Sequence, residues 1–224
     1  MEPHSQAQQQ GTQAQSTAKE VAQAPTGTKL KIAEAALRTL QERGFAGASA
    51  REIASAGSFN QALIFYHFGS VQNALLAALD LVSTRRMQTY RATFEQAQTL
   101  SELAALARRI YAEDLENGYV TVLVEMVAGG ASDAELGGEV TSRLQPWIDL
   151  VEAKLQELFS GSPFESMVPA RDIAFAVVAL YLGVDMLSHL EGDHTRAESL
   201  LDLGERYTPL LSALLPSQKK RAPR

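Results

Sequence analysis

Cysteine is absent from the 224 residues, so the chain forms neither a disulfide framework nor a thiolate metal site or nucleophile. Aromatic residues are sparse, at 7% with a single tryptophan. No uninterrupted apolar run approaches the roughly 20 residues that span a bilayer, and the first residues lack the charged and apolar regions of a secretory leader. These absences lead us to expect a soluble cytoplasmic protein with no membrane partner.

The sequence also lacks the common signatures of catalysis. It has no glycine-rich phosphate loop, no nucleophile elbow and no pair of histidines one helical turn apart. Histidines and carboxylates cluster at only one place, which comprises Asp185, His189, Glu191, Asp193 and His194. Gly192 interrupts the helical pattern there, so a polar turn between two helices explains the cluster better than a metal or hydrolytic site. We predict no enzyme activity, no cofactor and no metal.

The net charge of -6 is concentrated in one part of the chain. Residues 28–80 carry five basic and four acidic side chains, whereas residues 81–216 carry ten basic and twenty acidic ones. The last eight residues add four basic side chains. Because a protein that docks only one end on DNA tolerates acidic charge elsewhere, this pattern permits nucleic-acid binding by residues 28–80.

Helical signals fill the chain between two polar ends. Residues 1–26 are rich in Gln, Ala, Ser and Thr and predict a disordered arm, while residues 216–224 predict a basic tail. Ser or Thr followed three residues later by Glu predicts helix starts after Ser49, Thr99 and two further positions, Ser132 and Thr195. Amphipathic runs predict helices near residues 28–43, 49–55, 60–66, 71–97, 100–116, 119–128, 133–159, 169–190 and 195–214. The fold class is therefore all-α.

Residues 49–76 have the pattern of a helix-turn-helix. Two short helix signals flank a break at Gly57 and Ser58, and Asn60 is a favourable N-cap for the second helix. That helix ends in an aromatic run at residues 65–68 that is too polar for an ordinary core. In a helix-turn-helix the second helix enters the major groove of DNA, so we predict a DNA-binding surface here.

The segment resembles the TetR family of bacterial transcriptional regulators. The family pattern is matched by Gly44-Phe45, Ser49 to Ile53-Ala54, Gly57-Ser58 and Phe65-Tyr66-His67-Phe68. The resemblance covers about residues 28–80. It implies a three-helix DNA-binding domain at residues 27–75 and a six-helix effector-binding and dimerisation domain at residues 76–215. It also implies a ligand-responsive repressor that binds a double-stranded, pseudo-palindromic operator as a homodimer.

Specificity is predicted to come from two side chains. Gln61, at the start of the recognition helix, can pair with adenine through its amide, and Arg51 matches a position from which some family members reach guanine. Ala62 and Leu63 can touch thymine methyl groups. The remaining candidates are placed to contact DNA phosphates or to hold the recognition helix in position. The predicted DNA-binding residues are Thr28, Ser49, Arg51, Asn60, Gln61, Ala62, Leu63, Phe65, Tyr66 and His67. Arg51 as a solvated side chain and His67 as a structural hydrogen bonder are the alternatives, and Ile53, Ile64 and Phe68 are predicted core.

The sequence departs from the family pattern at three places. Gly57-Ser58 replaces the usual Ala-Gly, Phe65 replaces a tyrosine, and Val71 replaces a lysine at the start of helix four. Losing a phosphate contact lowers the salt dependence of DNA binding by about one unit of slope. A helical protein-interaction module that has lost specific DNA binding is therefore the alternative function.

The body is predicted to hold an unknown small-molecule effector and a dimer interface. Large or polar residues on the middle helices are the pocket candidates, although each is also explained as plain core: Tyr111, Tyr119, Glu125, Met126, Trp147, Phe175 and Met186. The helix near residues 169–190 is apolar around more than one face, so one face is expected to meet a partner subunit. The interface candidates are Val177, Tyr181, Val184, Asp185, Leu203 and Leu210, with Asp185 expected to form an interface hydrogen bond.

Overall fold

The computed structural model describes residues 27–162, 165–167 and 169–213. Within these residues the chain forms nine α-helices and no strand. The helices are α1 (Thr28–Gly47), α2 (Ala50–Gly57), α3 (Ala62–Phe68), α4 (Val71–Gln96), α5 (Leu100–Glu116), α6 (Tyr119–Ala131), α7 (Ala134–Phe159), α8 (Ala170–Glu191) and α9 (Thr195–Ala213). The predicted all-α class is confirmed. The predicted arm at residues 1–26 and tail at residues 216–224 lie outside the described residues.

Side-chain caps fix where the helices begin. Thr99 accepts a 3.1 Å hydrogen bond from the backbone three residues on, as its capping box predicts. The predicted caps at Ser132 and Thr195 are wrong, because in each case the side chain of a neighbouring aspartate accepts the free backbone N–H groups at the helix start. Asp133 accepts two backbone N–H groups at the start of α7, and Asp193 accepts the N–H of Thr195. A carboxylate also interacts favourably with the positive end of the helix dipole.

One apolar core joins the first helices to the body. Ile53 and Ile64 are completely buried, which confirms their prediction as core, and Phe68 packs partly buried against the same cluster. That cluster continues into α6 through Val122 and Met126, both fully buried. Helix α1 therefore packs directly on α6, and a domain boundary between residues 75 and 76 stays a prediction.

Helix α4 connects the two parts of the molecule. Its 26 residues span about 39 Å at 1.5 Å per residue. Leu75 near its start is buried in the core beneath α1 to α3, while Tyr90 near its end is buried in a separate cluster with α5. Asp80 accepts two hydrogen bonds from Arg143 of α7, at 2.7 and 3.1 Å. Helix α4 thus contacts both the core beneath the helix-turn-helix and the helices of the body.

Helix α8 is the one described helix that by itself is long and apolar enough to cross a membrane, with a mean hydropathy of 1.8 over its most apolar window. The uninterrupted apolar run within this helix is shorter than a membrane span, as predicted, because it begins at Ile173 and ends before Asp185. Only 17% of that window is buried within the subunit, so much of its apolar surface is uncovered.

Candidate nucleic-acid interface and ligand cavity

The geometry of the turn between α2 and α3 explains why Gly57-Ser58 can replace the usual Ala-Gly of the family pattern. Ser58 adopts a left-handed conformation (φ 53°, ψ 52°), which non-glycine residues adopt only at a cost. Gly57 is buried, and a Cβ atom there would lie 2.1 Å from the ring of Phe59. Glycine is thus needed at position 57 for close packing, and the left-handed turn falls on Ser58.

The two predicted base-reading side chains lie on one surface. Arg51 on α2 and Gln61 before α3 are exposed and border the same shallow depression. Asn60 holds the start of α3 in place, because its Oδ1 accepts a 2.9 Å hydrogen bond from the N–H of Ala62. Local capping therefore fixes the backbone that carries Gln61, and the predicted N-cap is confirmed.

The outer face of α3 exposes aromatic side chains. Tyr66 is 82% exposed and Phe65 is 50% exposed. His67 is half-buried, and its ring meets that of Tyr66 edge-on at 4.9 Å between centroids. Leu63 is partly buried against the core, so only part of its side chain is available to a base. Large exposed apolar groups on a short, well-fixed helix indicate a binding surface.

The predicted phosphate contacts lie at helix starts around this surface. Ser49 and Thr28 are both exposed, and the Ser49 hydroxyl already accepts a 3.2 Å hydrogen bond from the N–H of Glu52. Ser70 caps α4 by accepting the N–H of Asn73 at 3.1 Å. Val71 packs partly buried against the core, so it fills space where a lysine would extend into solvent. The DNA-binding roles of these residues stay predictions.

Glu125, predicted as a pocket residue, instead joins the helix-turn-helix to the body. Its carboxylate accepts a 2.6 Å hydrogen bond from the N–H of Phe45, just after the kink at Gly44 in α1. The same carboxylate lies 3.8 Å from the Nε2 atom of His189 on α8. Glu125 therefore touches both α1 and α8. Its contact with Phe45 joins residues 80 positions apart, and sequence reasoning missed it.

A cavity of about 110 Å³ lies among the helices of the body. Its wall is mainly apolar and includes Leu79, Val82, Leu123, Trp147, Val178 and Leu182. Trp147 and Tyr119, both pocket candidates, line it. Trp147 is held in place by a 3.0 Å hydrogen bond from its Nε1 to Ser83 of α4. The cavity thus lies directly against the connecting helix, from Leu79 onward.

Four other pocket candidates lie elsewhere. Phe175 and Met186 are 62% and 36% exposed on α8, because their positions on the helix face away from the subunit. Met126 is packed in the core below α1. Tyr111 is buried on α5, and its hydroxyl lies 3.1 Å from Nδ1 of His194. Apolar character alone did not distinguish core, cavity and exposed surface.

A charged cluster adjoins the cavity, and sequence reasoning missed two of its members. Arg86 of α4, which lines the cavity, forms an ion pair with Asp114 of α5. Tyr181 of α8 donates a 2.7 Å hydrogen bond to that carboxylate. Burial raises the pKa of Asp114 above its usual range, although Arg86 and Tyr181 oppose that effect. The one available signal was a charged residue within the apolar pattern of each helix.

Two predicted interface residues on α8 face inward. Asp185 is completely buried in its own subunit, and burial raises the pKa of its carboxyl to about 8. Tyr181 lines the cavity, and burial raises the pKa of its hydroxyl as well. Their positions share a helix face that packs toward α4 and α5, so the predicted interface hydrogen bond of Asp185 is wrong.

The histidine and carboxylate cluster does not converge on a common point. His189 lies against Glu125, His194 lies against Tyr111, and Asp185 is inside the subunit. Asp193 caps α9. In the part of the chain that the structure describes, no group of three or more such side chains is placed to hold a metal ion.

The last two helices present an uncovered apolar surface. On α8 and α9 the exposed large side chains are Phe175, Val177, Leu180, Met186, Leu187, Leu190, Leu200, Leu203, Tyr207 and Leu210. Val184 is half-buried between them. We refer to these exposed residues as the α8–α9 surface. An apolar patch of this extent on a single subunit indicates an interaction site.

The family model for bacterial regulatory proteins of the tetR family matches residues 32–79. This match confirms that the helix-turn-helix segment resembles the TetR family. The matched residues comprise α2, α3 and parts of α1 and α4, so this TetR-family match covers the surface formed by Arg51 and Gln61. No curated protein matches the sequence.

Solved structures share the fold over most of the chain. FadR of Bacillus halodurans, a fatty acid degradation regulator, is similar with a TM-score of 0.69 at 17% identity, over 82% of this chain and 96% of that one. FadR of Bacillus subtilis, solved with stearoyl-CoA, has a TM-score of 0.66 at 14% identity, over 84% and 99%. A TetR-family regulator of Cytophaga hutchinsonii has a TM-score of 0.66 at 16% identity, over 86% and 96%. The TetR fold thus extends through the body.

Proposed function

We propose that this TetR-family regulator is a homodimeric repressor in the bacterial cytoplasm. It binds a pseudo-palindromic operator through α3 and releases it when a small molecule enters the body. The observation that carries the proposal is that α4 contacts both the recognition helix and the cavity. Near its start Leu75 packs in the core beneath the recognition helix, and further along Leu79 and Arg86 line the cavity.

DNA recognition is proposed to begin at the shallow depression between α2 and α3. Gln61 and Arg51 supply an amide and a guanidinium that can pair with adenine and guanine in the major groove. Tyr66 and His67 lie further along α3, where they can reach phosphates and fix the register. Arg51, Gln61 and Tyr66 are exposed and His67 is half-buried, so all four side chains are accessible to DNA.

Dimerisation is proposed to bury the α8–α9 surface. One recognition helix contacts too few bases for useful specificity, so a twofold dimer on half-sites about 34–36 Å apart is the natural arrangement. The α8–α9 surface lies in the body, while the recognition surface lies at the other end of α4. A dimer formed through α8 and α9 therefore leaves both recognition helices free for DNA.

The effector is proposed to act by changing the separation of the two recognition helices. A ligand in the cavity would press on Leu79, Val82 and Arg86 of α4. Because α4 also packs against α1 and α3, its displacement would move the recognition helix as well. A ligand that binds one arrangement more tightly shifts the population toward it, and DNA shifts it back.

Gln61→Ala is expected to lower affinity for the preferred DNA fragment about 5- to 100-fold, because one bidentate base contact discriminates by about 1–3 kcal/mol. Fluorescence anisotropy against genomic fragments measures this change. Gln156→Ala, an exposed glutamine on α7, is the matched control and is expected to bind like wild type. Equal binding by Gln61→Ala and wild type without sequence preference would favour the protein-interaction module.

Leu187→Glu is expected to convert the dimer to a monomer, because Leu187 is 63% exposed on α8 and its replacement buries two charges at a twofold interface. Sedimentation at micromolar concentration measures the mass. Met167→Glu is the control, because Met167 is 74% exposed in the turn before α8. A monomeric wild-type protein would contradict the dimer.

A further inference from the structure

The cluster beside the cavity holds one carboxylate more than its cation can neutralise. Arg86 is 12% exposed and forms its ion pair with Asp114, which is 1% exposed. The guanidinium also stacks over the ring of Trp147, at 4.9 Å from the centroid. Arg86 is therefore committed to partners of its own subunit, and the second carboxylate, Asp185, has no cation of its own.

Unpaired hydrogen-bond acceptors predominate in this cluster. Among the described residues, both carboxylate oxygens of Asp185 and Oδ1 of Asp114 are buried without a hydrogen-bond partner. The one unpaired buried donor is Nε of Arg86. Buried polar atoms without partners are rare in folded proteins, and a bound molecule or ion is one way in which they are satisfied. Here the completing molecule must mainly donate hydrogen bonds.

Asp185 lies on the face of α8 that lines the cavity. Val178, Tyr181 and Leu182 line it, and they precede Asp185 by seven, four and three positions. Residues at these spacings share one face of a helix. A ligand whose body occupies the apolar cavity can therefore extend one end along this face toward Asp185.

We propose that the effector is an apolar monocation, a protonated amine on a hydrophobic body, whose ammonium group donates hydrogen bonds to Asp185. This inference rests on the proposed function, because it takes the cavity as the effector site. The apolar wall, including Trp147 and Leu123, accepts the hydrophobic body. An anion would add negative charge to a cluster that already has a carboxylate in excess.

A proton occupies the place of the cation when no amine is bound. Burial raises the pKa of Asp185 to about 8, with Asp114 reinforcing and Arg86 opposing the change. The other groups that face it are Tyr111 of α5 and Tyr181 of its own helix. On α6, Glu125 lies against His189 rather than Asp185, and α7 contributes Trp147 to the cavity wall. An ammonium that binds Asp185 therefore displaces its proton.

Three probes of matched shape test the charge preference: phenylbutylamine, phenylbutanol and phenylbutanoate. Isothermal titration of the full-length protein is expected to give the amine at least about tenfold tighter binding than the alcohol, because its hydrogen bonds are charge-assisted. The carboxylate is expected to bind most weakly. Equal or tighter binding of phenylbutanoate would overturn the proposal.

Proton release distinguishes a bond to Asp185 from general apolar binding. Titrations at pH 7 in buffers of different ionisation enthalpy are expected to show close to one proton released per amine bound. Amine affinity is expected to rise nearly tenfold per pH unit between about pH 6 and pH 7.5, as Asp185 loses its proton more easily. Binding of the amine without proton release and without this pH dependence would contradict the proposal.

Asp185→Asn is expected to weaken amine binding at least about tenfold, to remove the proton release and to leave phenylbutanol binding unchanged. The amide has the shape of the acid, so circular dichroism is expected to match wild type. Asp172→Asn, an exposed aspartate on the same helix, is the matched control with wild-type behaviour. Undiminished amine binding by Asp185→Asn would refute the role of this carboxylate.

The two proposals fail separately. Titrations with the three probes use no DNA, and the anisotropy titration with Gln61→Ala uses no probe. Specific DNA binding together with a preference for the anionic probe would retain the regulator and reject the cationic effector. Amine binding with proton release but without specific DNA binding would retain the cation site and reject the repressor.

Discussion

Asp185→Asn is expected to stabilise the protein, and the gain is expected to grow as the pH rises. In the folded chain burial raises the pKa of this carboxyl from an ordinary value of 3.8 to about 8. Between these values the unfolded chain loses the proton and the folded chain keeps it, so rising pH favours the unfolded chain. The wild-type protein thereby loses about 1.4 kcal/mol of stability per pH unit over this window. An amide does not ionise and avoids the loss.

Urea denaturation at pH 5, 6, 7 and 8 measures this difference. The gap in unfolding free energy between Asp185→Asn and wild type is expected to widen by about 3.5–4 kcal/mol from pH 5 to pH 8. Asp172→Asn is the control, because it makes the same substitution at an exposed position of the same helix. A constant gap for Asp185→Asn would mean that the carboxyl is ionised in the folded chain at pH 5.

Stability and ligand recognition are coupled at this residue. A carboxyl buried without a partner destabilises the free protein at neutral pH. An amine that binds it removes that penalty, so Asp185 contributes more to the stability of the liganded form than to that of the free form. Arg86 cannot substitute for the amine, because its guanidinium is held between Asp114 and Trp147. Because the empty site lowers the stability of the folded protein, binding of a cation there is favoured.

The helix-turn-helix was predictable because its determinants are local. Capping by Ser49 and Asn60 acts within three residues, and the apolar positions Ile53 and Ile64 repeat with the helical period. Even the departure at Ser58 is local, since the turn it forms spans a few residues. Sequence periodicity reports such short-range constraints directly.

The chemistry of the body was less predictable because its determinants are distant along the chain. Arg86 pairs with Asp114 across 28 residues, and Tyr181 joins the same carboxylate across 67. The sequence shows each as one polar residue among others and does not show which residues of other helices it meets. Helix α8 carries apolar side chains on more than one face, so the sequence also did not show which face points into the subunit. Asp185 was therefore assigned to the exposed face although it lies inside.

Helix α1 meets the body at a backbone position that only glycine tolerates. Gly44 has φ 68° and ψ -179°, a region that is essentially closed to other residues and costs them about 1–3 kcal/mol. A Cβ atom at this position would also lie 2.7 Å from Oε2 of Glu125. The kink directs the N–H of Phe45 to that carboxylate, and the ring of Phe45 lies where a side chain at Gly129 would be.

Gly44→Ala is expected to lower the unfolding free energy by about 3 kcal/mol, from backbone strain together with the displaced Glu125 carboxylate. Gly138→Ala is the matched control, because Gly138 lies within α7 with open space around it. That variant is expected to gain about 0.5–1 kcal/mol from helix propensity. Urea denaturation measures both changes. Equal effects of the two alanines would show that position 44 does not require the kink.

A double-mutant cycle separates the two causes. If the contact with Glu125 contributes, then Glu125→Ala combined with Gly44→Ala loses less stability than the sum of the single variants, because the shortened side chain no longer meets the new Cβ atom. If backbone strain alone operates, the two losses add. Because Glu125 also lies 3.8 Å from Nε2 of His189, a positive coupling would show that this carboxylate joins α1 to α8.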